Sequence, residues 1–262
     1  MIQTLRKMRP SIPFLTLTVI IFTIWWTIST VSQIPTYLLP TPEGVVISMV
    51  KNKYSLFDAL FYTLSITFIA FVIAAISGIF VSICLIQARW LESAVMPYVV
   101  VIQVTPFVAV APLLQLWARN ISAAVIILAI IASIFPIITN TMLGLHSAEE
   151  GLQNLFSMYH ASRIQRLRYL LLPGALPNII TGLKVGLGLA LIGAVVAQFL
   201  LANSQSNGGI SYIIMQSEYN LETANMFAAL LLLVMSGAIL FILASRIGSF
   251  TIRKWHQSEI HL

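Results

Sequence analysis

Charged residues are scarce in this chain of 262 residues: Asp, Glu, Lys and Arg together make up only 8% of it. Soluble domains carry about a quarter charged residues. So few charges cannot shield from water a chain in which 59% of the residues are hydrophobic and the mean hydropathy is +0.95. A water-soluble protein is therefore excluded, and we expect an all-α integral membrane protein whose solvent includes lipid.

Cysteine is nearly absent too. Cys84 is the single cysteine and lies inside an apolar run, which excludes an intrachain disulfide and a cysteine-based metal cluster. It fits a small buried apolar residue. The four histidines are not spaced as metal ligands are. The sequence therefore predicts no metal site and no cofactor held by this chain.

Catalytic motifs are missing as well. No glycine precedes a lysine anywhere in the sequence, so the chain has no phosphate-binding P-loop and cannot hydrolyse ATP by itself. No G-x-S-x-G nucleophile elbow occurs either, and we expect no enzyme. Lys184 is the one ionisable residue expected inside a span, near a membrane face. Ion-coupled secondary transporters usually carry such residues at membrane depth, so that class remains only as the alternative.

What the chain does have is six apolar stretches, each near the length of about 20 residues that a helix needs to cross the hydrocarbon core. They fall at about 13–31, 59–86, 94–117, 123–145, 181–201 and 225–245, in one transmembrane domain that covers 1–262. Pro97, Pro106 and Pro112 interrupt the third. The basic segment 1–12 before the first stretch resembles the start of a signal peptide. The stretch is long and no A-x-A-like cleavage site follows it, so we expect a retained first span.

The basic residues predict the orientation. With the N-terminus inside, eleven Lys and Arg residues lie on the inner side and three on the outer side, which is the positive-inside pattern of multi-pass membrane proteins. The inner residues are Arg6, Lys7, Arg9, Arg89, Arg163, Arg166, Arg168, Lys184, Arg246, Arg253 and Lys254; the outer ones are Lys51, Lys53 and Arg119. Both termini are expected in the cytoplasm. These residues at the ends of the spans account for the net charge of +6, and no nucleic-acid partner is expected.

The segment 146–180, on the predicted cytoplasmic side, carries the clearest pattern. Apolar residues recur there at helical spacing in two runs, and the basic residues of the second run lie off its apolar stripe. We expect two short amphipathic helices joined at 160–162, with Pro173 ending the second helix and Pro177 in a turn that leads into span five. A basic amphipathic helix beside a membrane can simply lie in the headgroups. The functional alternative is an element that docks into a groove of a cytoplasmic partner.

The run from His160 to Pro177, H-A-S-R-I-Q-R-L-R-Y-L-L-L-P-G-A-L-P, resembles the EAA loop of bacterial permeases of ATP-binding cassette (ABC) importers. In that family a pattern like E-A-A-x-x-x-G-A-S precedes a basic amphipathic helix ending in L-P-x-A-L-P. T-P-F-V-A-V-A-P-L at 105–113 resembles span three of the branch for nitrate, sulfonate, taurine and thiamine precursors. There are two departures. The family's Glu-Ala-Ala falls on Asn154 to Phe156, and its glycine, which permits an unusual backbone at the joint, falls on His160.

The resemblance implies a type I ABC importer transmembrane domain of about six helices in the bacterial inner membrane, with a cytoplasmic coupling loop at 146–180. It implies as partners two copies of a separate ATPase subunit that binds ATP, a second permease copy forming a homodimer, an extracytoplasmic solute-binding protein and membrane lipid. The ATPase-coupling residues would be His160, Ala161, Ser162, Arg163, Arg166 and Pro173. The candidates for a translocation path, which would carry a small polar solute such as an organic anion or a vitamin precursor, are Gln103, Thr105, Asn140 and Gln198. Each of these four could instead bond a neighbouring helix.

Overall fold

The computed structural model describes residues 11–31, 34–118, 120–201 and 208–253, and these are helical apart from short connections. The basic start at 1–10, Arg119 and the chain after 253 lie outside the described residues. The helices are α1 (Ser11–Val31), α2 (Pro42–Lys51), α3 (Lys53–Leu85), α4 (Arg89–Val104), α5 (Phe107–Trp117), α6 (Ile121–His146), α7 (Glu150–Met158), α8 (Arg163–Arg166) with a π-helical turn after it (Leu167–Leu171), α9 (Leu172–Leu201), α10 (Ile210–Tyr219) and α11 (Thr223–Arg253). The all-α prediction is confirmed.

Within the described residues, four helices are long and apolar enough to cross a membrane. They are α3, α6, α11 and the helix that α8, the π turn and α9 form together. α4 and α5 pass the same test as one broken span, and α1 falls on the first predicted span. The predicted membrane architecture is confirmed, while the count of six spans stays a prediction.

The third predicted span, 94–117, is not one helix, because α4 and α5 are bent by 101° at the break between them. The break lies at Pro106. A proline disfavours the helical backbone of the residue before it, and Thr105 is extended, with φ −69° and ψ 121°. Pro97 and Pro112 lie inside α4 and α5 without ending either helix. Of the three prolines that were expected to interrupt this span, only Pro106 therefore coincides with a break.

The centre of the bundle is the contact between α6 and α9, on which α3 packs. The two helices approach closely because glycine stands where they meet. A Cβ atom on Gly182 would come within 2.9 Å of Asn140 Cβ, and one on Gly193 within 2.9 Å of Ala132 Cβ. Van der Waals contact, rather than exclusion from water, holds helices together in lipid, and small residues allow that contact.

At one end of the bundle, α2 and α10 close over the starts of α3 and α11; we call this the outer end, after the predicted orientation. Val45, Leu56 and Ile210 are at most 1% exposed there. The Trp25 indole N–H donates to the Pro40 carbonyl at 3.1 Å and ties α1 to this end. The opposite end, which carries α7 and α8, we call the inner end. α10 is therefore packed against the subunit's own residues at the outer end, while Ile47 and Val50 of α2 stay exposed.

Candidate coupling and translocation sites

The inner end carries the joint between α7 and α8. Ala161 N–H donates to the Phe156 carbonyl and His160 N–H to the Ser157 carbonyl, both at 3.0 Å. These are the two bonds of a Schellman motif, which needs a left-handed residue, usually glycine, at its turn. His160 fills that place with φ 51°. The first predicted helix and the joint after it are confirmed, and the backbone that the family's glycine permits is present with histidine in its place.

Ser162 has a structural role that sequence reasoning missed. Its side chain accepts a hydrogen bond from the Gln165 N–H at 3.3 Å, and the Gln165 side chain accepts one from the Ser162 N–H at 2.8 Å. This reciprocal pair is a capping box, which satisfies free backbone donors at the start of α8. Its signal, a serine followed three residues later by a glutamine, is visible in the sequence. Local hydrogen bonds therefore fix the joint on both sides.

An apolar groove of about 300 Å³ lies beside this joint. It is lined by Leu155, Phe156, Tyr159, Ala161, Gln165 and Tyr169. Nothing in the described part of the chain covers it: no residue of α7 is buried, and Tyr159 is 81% exposed. An apolar surface left open in this way is typical of a site that contacts a protein or a lipid.

Arg163 and Arg166 face a different space. Both line a cavity of about 690 Å³ between α8 and the corner that joins α3 to α4, and neither lines the apolar groove. Arg163 Nη1 donates to the Gln87 carbonyl at 3.4 Å, a long hydrogen bond. The predicted contact of these two arginines with an ATPase subunit stays a prediction.

Pro173 does not end the second amphipathic helix, and this prediction was wrong. α8, the π turn and α9 form one helix of 39 residues, Arg163–Leu201. An internal proline lacks an N–H and crowds the carbonyl four residues before it. Here the widened π turn precedes it, with Leu172 N–H donating to the Leu167 carbonyl five residues back. Pro177 lies inside α9 as well, so the predicted turn into span five was also wrong.

Two candidates for the path lie at the break in the third span. Gln103 is exposed near the end of α4, and Thr105 is the half-buried residue where that helix ends. Thr105 Oγ1 donates to the Val101 carbonyl at 2.6 Å. Broken helices at membrane depth are tolerated where they are buried in protein or line a cavity. The break therefore presents polar groups on a face that the described part of this subunit leaves open.

The other two candidates, Asn140 and Gln198, make their hydrogen bonds inside the subunit. Asn140 Nδ2 donates to the Pro136 carbonyl at 2.8 Å. Gln198 is only 6% exposed, and its Oε1 accepts from Thr63 Oγ1 at 2.9 Å and from Ser211 Oγ at 3.3 Å. The sequence left open whether these residues line a path or bond a neighbouring helix. Gln198 bonds to neighbouring helices, whereas Asn140 bonds to the backbone of its own helix, and a path role for either stays a prediction.

Solved structures share this helical membrane fold. A chain of the MetNI methionine ABC transporter, in inward-facing conformations, aligns with a TM-score of 0.66 at 22% identity, over 79% of this chain and 99% of that one. An amino acid ABC transporter aligns with a TM-score of 0.63 at 18% identity, over 79% and 97%. The fold is that of the transmembrane part of an ABC importer.

The chain belongs to the family of binding-protein-dependent transport system inner membrane components, which it matches over residues 70–253. It is 30% identical over 240 residues to the formylaminopyrimidine transport permease protein ThiX of Halalkalibacterium halodurans, covering 91% of this chain and 92% of that protein. It is 30% identical over 247 residues to the riboflavin transport system permease protein RibX of Chloroflexus aurantiacus (93% and 90%). It is 26% identical over 244 residues to the taurine transport system permease protein TauC of Escherichia coli (90% and 87%).

The chain is therefore the permease subunit of an ABC importer and an inner-membrane component, and the resemblance stated from its motifs is confirmed. It is not an enzyme, since ATP is hydrolysed by a separate ATPase subunit in this family. Membership also removes the alternative of an ion-coupled secondary transporter.

Proposed function

We propose that the chain pairs with a second copy of itself and forms the path for a small polar solute, an organic anion or a vitamin precursor. Two ATPase subunits, which bind the ATP, dock at the inner end, and an extracytoplasmic binding protein delivers the solute to the outer end. The permease holds no cofactor or metal of its own, and both its termini lie in the cytoplasm. The observation that carries this proposal is the open apolar groove beside a joint that its own hydrogen bonds hold in shape.

The shape of the joint favours docking. Because the Schellman bonds at His160 and the capping box at Ser162 already order the chain, binding would require little further ordering, which improves affinity. Amphipathic helices bind by placing an apolar face in a groove of the partner. Leu155 and Tyr159 supply apolar contacts here, and the small side chain of Ala161 lets the two backbones approach. Arg163, Arg166 and Pro173 complete the proposed coupling segment.

Ala161→Glu tests the docking. A carboxylate at this position would be buried without a partner in the interface, which is strongly destabilising. We expect the variant to insert in the membrane with wild-type yield and to lose its ATPase partner, or its solute-stimulated ATP hydrolysis in liposomes. Ser157→Glu is the matched control, because Ser157 is exposed on α7 and does not line the apolar groove. Wild-type stimulation in the Ala161→Glu complex would contradict the docking assignment.

The break between α4 and α5 supplies the polar lining of the path in this proposal. Gln103→Leu should lower uptake per assembled complex, because Gln103 is exposed at the break. Gln198→Leu separates the two roles left open for Gln198: a role on the path lowers uptake per assembled complex, and a bond inside the subunit leaves uptake near the wild-type value. Uptake into proteoliposomes loaded with ATP measures both. An equal loss of uptake in the two variants would place Gln198 on the path as well.

The solute class rests on the relatives and on the uncharged candidate lining. The relatives named above are permeases for formylaminopyrimidine, riboflavin and taurine, all small and polar. An amide-lined path fits a solute that is recognised mainly by the external receptor. Calorimetric titration of the cognate binding protein with these three compounds is the test. We expect it to bind one of them or a close analogue, and a preference for a peptide or a metal ion would contradict the solute class.

The orientation can be tested at two exposed tyrosines. Tyr219 is 89% exposed at the outer end and Tyr159 is 81% exposed at the inner end. In a Cys84→Ala background, an impermeant maleimide should label Tyr219→Cys in intact cells and should not label Tyr159→Cys until the membrane is opened. The reverse pattern would put the apolar groove on the wrong side of the membrane for an ATPase.

A further inference from the structure

The cavity beside α8 is separate from the apolar groove and has a different chemistry. It occupies about 690 Å³ at the inner end, between α8, the end of α6 and the corner that joins α3 to α4. Arg89, Arg163 and Arg166 bring three guanidinium groups to its lining, and Glu92 brings the single carboxylate. The other polar side chains in its wall are Gln87, Ser93, His146 and Gln153.

The positive charge of this cavity is not neutralised by the protein. Glu92 Oε1 lies 3.1 Å from His146 Nε2, and among the described residues no other carboxylate lies within 4.0 Å of a basic side-chain nitrogen. The carboxylate is therefore engaged by a histidine, and none of the three arginines has a carboxylate partner in the part of the chain that the structure describes. An unpaired guanidinium is a strong donor to a phosphate oxygen, because its planar fork can offer two parallel N–H groups.

The cavity also lies at the depth where lipid headgroups are found. Its walls are the ends of spans: the corner after Leu85, the C-terminal end of α6 at His146 and the start of the 39-residue helix at Arg163. Trp90, next to Arg89, is 73% exposed, and exposed tryptophans are enriched at the headgroup level. Phosphates stand at both surfaces of a bilayer, so the orientation of the chain does not affect this point.

We propose that this cavity, which we call the basic cavity, binds the phosphate of an anionic phospholipid headgroup through Arg89, Arg163 and Arg166. Basic pockets between spans are a known way for membrane proteins to hold such headgroups. The apolar groove, where an ATPase subunit would dock, has none of these arginines in its lining. The apolar groove and the basic cavity are therefore separate surfaces on either side of the joint. A bound headgroup would tie the α3–α4 corner to the start of the 39-residue helix.

The test uses the full-length permease in detergent and measures lipid binding by native mass spectrometry. Dioleoylphosphatidylglycerol, which is anionic, is compared with zwitterionic dioleoylphosphatidylcholine. Wild type should prefer phosphatidylglycerol, and the double variant Arg89→Gln/Arg166→Gln should lose roughly thirtyfold in affinity for it, from the typical contribution of one basic residue near a membrane surface counted twice. Arg89→Gln alone should lose roughly fivefold and serves if the double variant folds poorly. Arg168→Gln, an exposed position outside the cavity lining, should bind as wild type does.

A second arm distinguishes the source of the phosphate. Millimolar inorganic phosphate is added to the lipid-free permease, and the melting temperature is followed. If it stabilises wild type and not the double variant, while wild type shows no preference for phosphatidylglycerol, the cavity takes free phosphate and the lipid assignment is wrong. If the double variant keeps the wild-type lipid preference, or loses only its ATPase partner, the cavity serves another purpose and the proposal fails.

Discussion

The two ends of the bundle are built from similar parts, but the short helix α10 at the outer end is packed into the bundle and the short helix α7 at the inner end is exposed. At each end a short helix finishes in a Schellman motif whose left-handed residue is not glycine: His160 with φ 51° at the inner end and Leu221 with φ 59° at the outer end. α10 then buries Ile210 and Ile213 in the outer cluster, whereas α7 buries nothing. In both places the Schellman motif sets the direction in which the chain continues. The two helices differ in burial, because α10 is packed into the fold and α7 is left exposed to a partner.

The hydrogen bonds also differ between the two ends. At the outer end they reach across the chain: the Ile210 N–H donates to Thr63 Oγ1 at 2.9 Å, and Asn52 Nδ2 donates to Asn225 Oδ1 at 2.9 Å. At the inner end the bonds that form the joint itself are between residues at most five positions apart, although Arg163 and His146 nearby bond to Gln87 and Glu92. Changes at the outer end should therefore lower the stability of the isolated chain. Changes at the inner end should mainly alter what the chain binds.

The sharpest test of this contrast removes one buried and one exposed aliphatic side chain. Ile210→Ala should lower the free energy of unfolding by about 2–5 kcal/mol, because Ile210 is fully buried and truncation leaves a cavity. Leu155→Ala, at a residue that is 47% exposed, should change it by less than about 0.5 kcal/mol. Denaturation of the full chain in mixed micelles measures both. Similar losses would mean that α7 is part of the folded core after all.

A second test removes one hydroxyl from the outer end. Thr63→Val should lower the free energy of unfolding by about 2 kcal/mol, because it leaves the buried Ile210 N–H without its acceptor. Thr67→Val is the control: Thr67 is equally buried on α3, and its hydroxyl only donates to the Thr63 carbonyl of the same helix. Denaturation curves and exchange at the Ile210 amide report the difference. Equal effects of the two substitutions would show that the bond to α10 contributes nothing special.

At the inner end, the capping box gives a smaller effect that stays local. Ser162→Ala should cost about 1 kcal/mol in the stability of the start of α8, since it removes the side-chain acceptor of the Gln165 N–H. Hydrogen exchange at that amide should accelerate roughly fivefold. Ser157→Ala, where the hydroxyl bonds to Gln153 on an exposed face, should leave it unchanged. Unaltered exchange in Ser162→Ala would argue against the capping box.

Replacing the two left-handed residues by glycine should have the smallest effects, and both substitutions should stabilise the protein. Relief of the left-handed strain outweighs the extra freedom of glycine in the unfolded chain. Leu221→Gly should raise the free energy of unfolding by about 1 kcal/mol. His160→Gly should raise it by about 0.5 kcal/mol, since histidine tolerates this region better than leucine does. Denaturation of the two variants side by side gives the order, and a destabilising result at either position would mean that its side chain makes contacts worth more than the strain.

Much of this fold could be predicted because a chain in lipid has a strong sequence signal. Long apolar runs predict the spans, and the helical spacing of apolar residues on either side of His160 predicts the joint there. Pro173 was misjudged because a membrane helix can continue through a proline. Here a π turn precedes it, and no local pattern in the sequence predicts such a turn. Gln198 could not be assigned from sequence for a similar reason. Whether a glutamine at membrane depth faces a path or a neighbour depends on Thr63, which lies far away along the chain.

The unbroken course of Arg163–Leu201 has a mechanical consequence. At 1.5 Å per residue, its 39 residues measure about 58 Å. Over that length, a rotation of about 5° at the inner end displaces the outer end by about 5 Å. Gln198, close to that outer end, is hydrogen-bonded to Ser211 on α10. A tilt of this helix at its inner end therefore displaces the part of it that is hydrogen-bonded to α10.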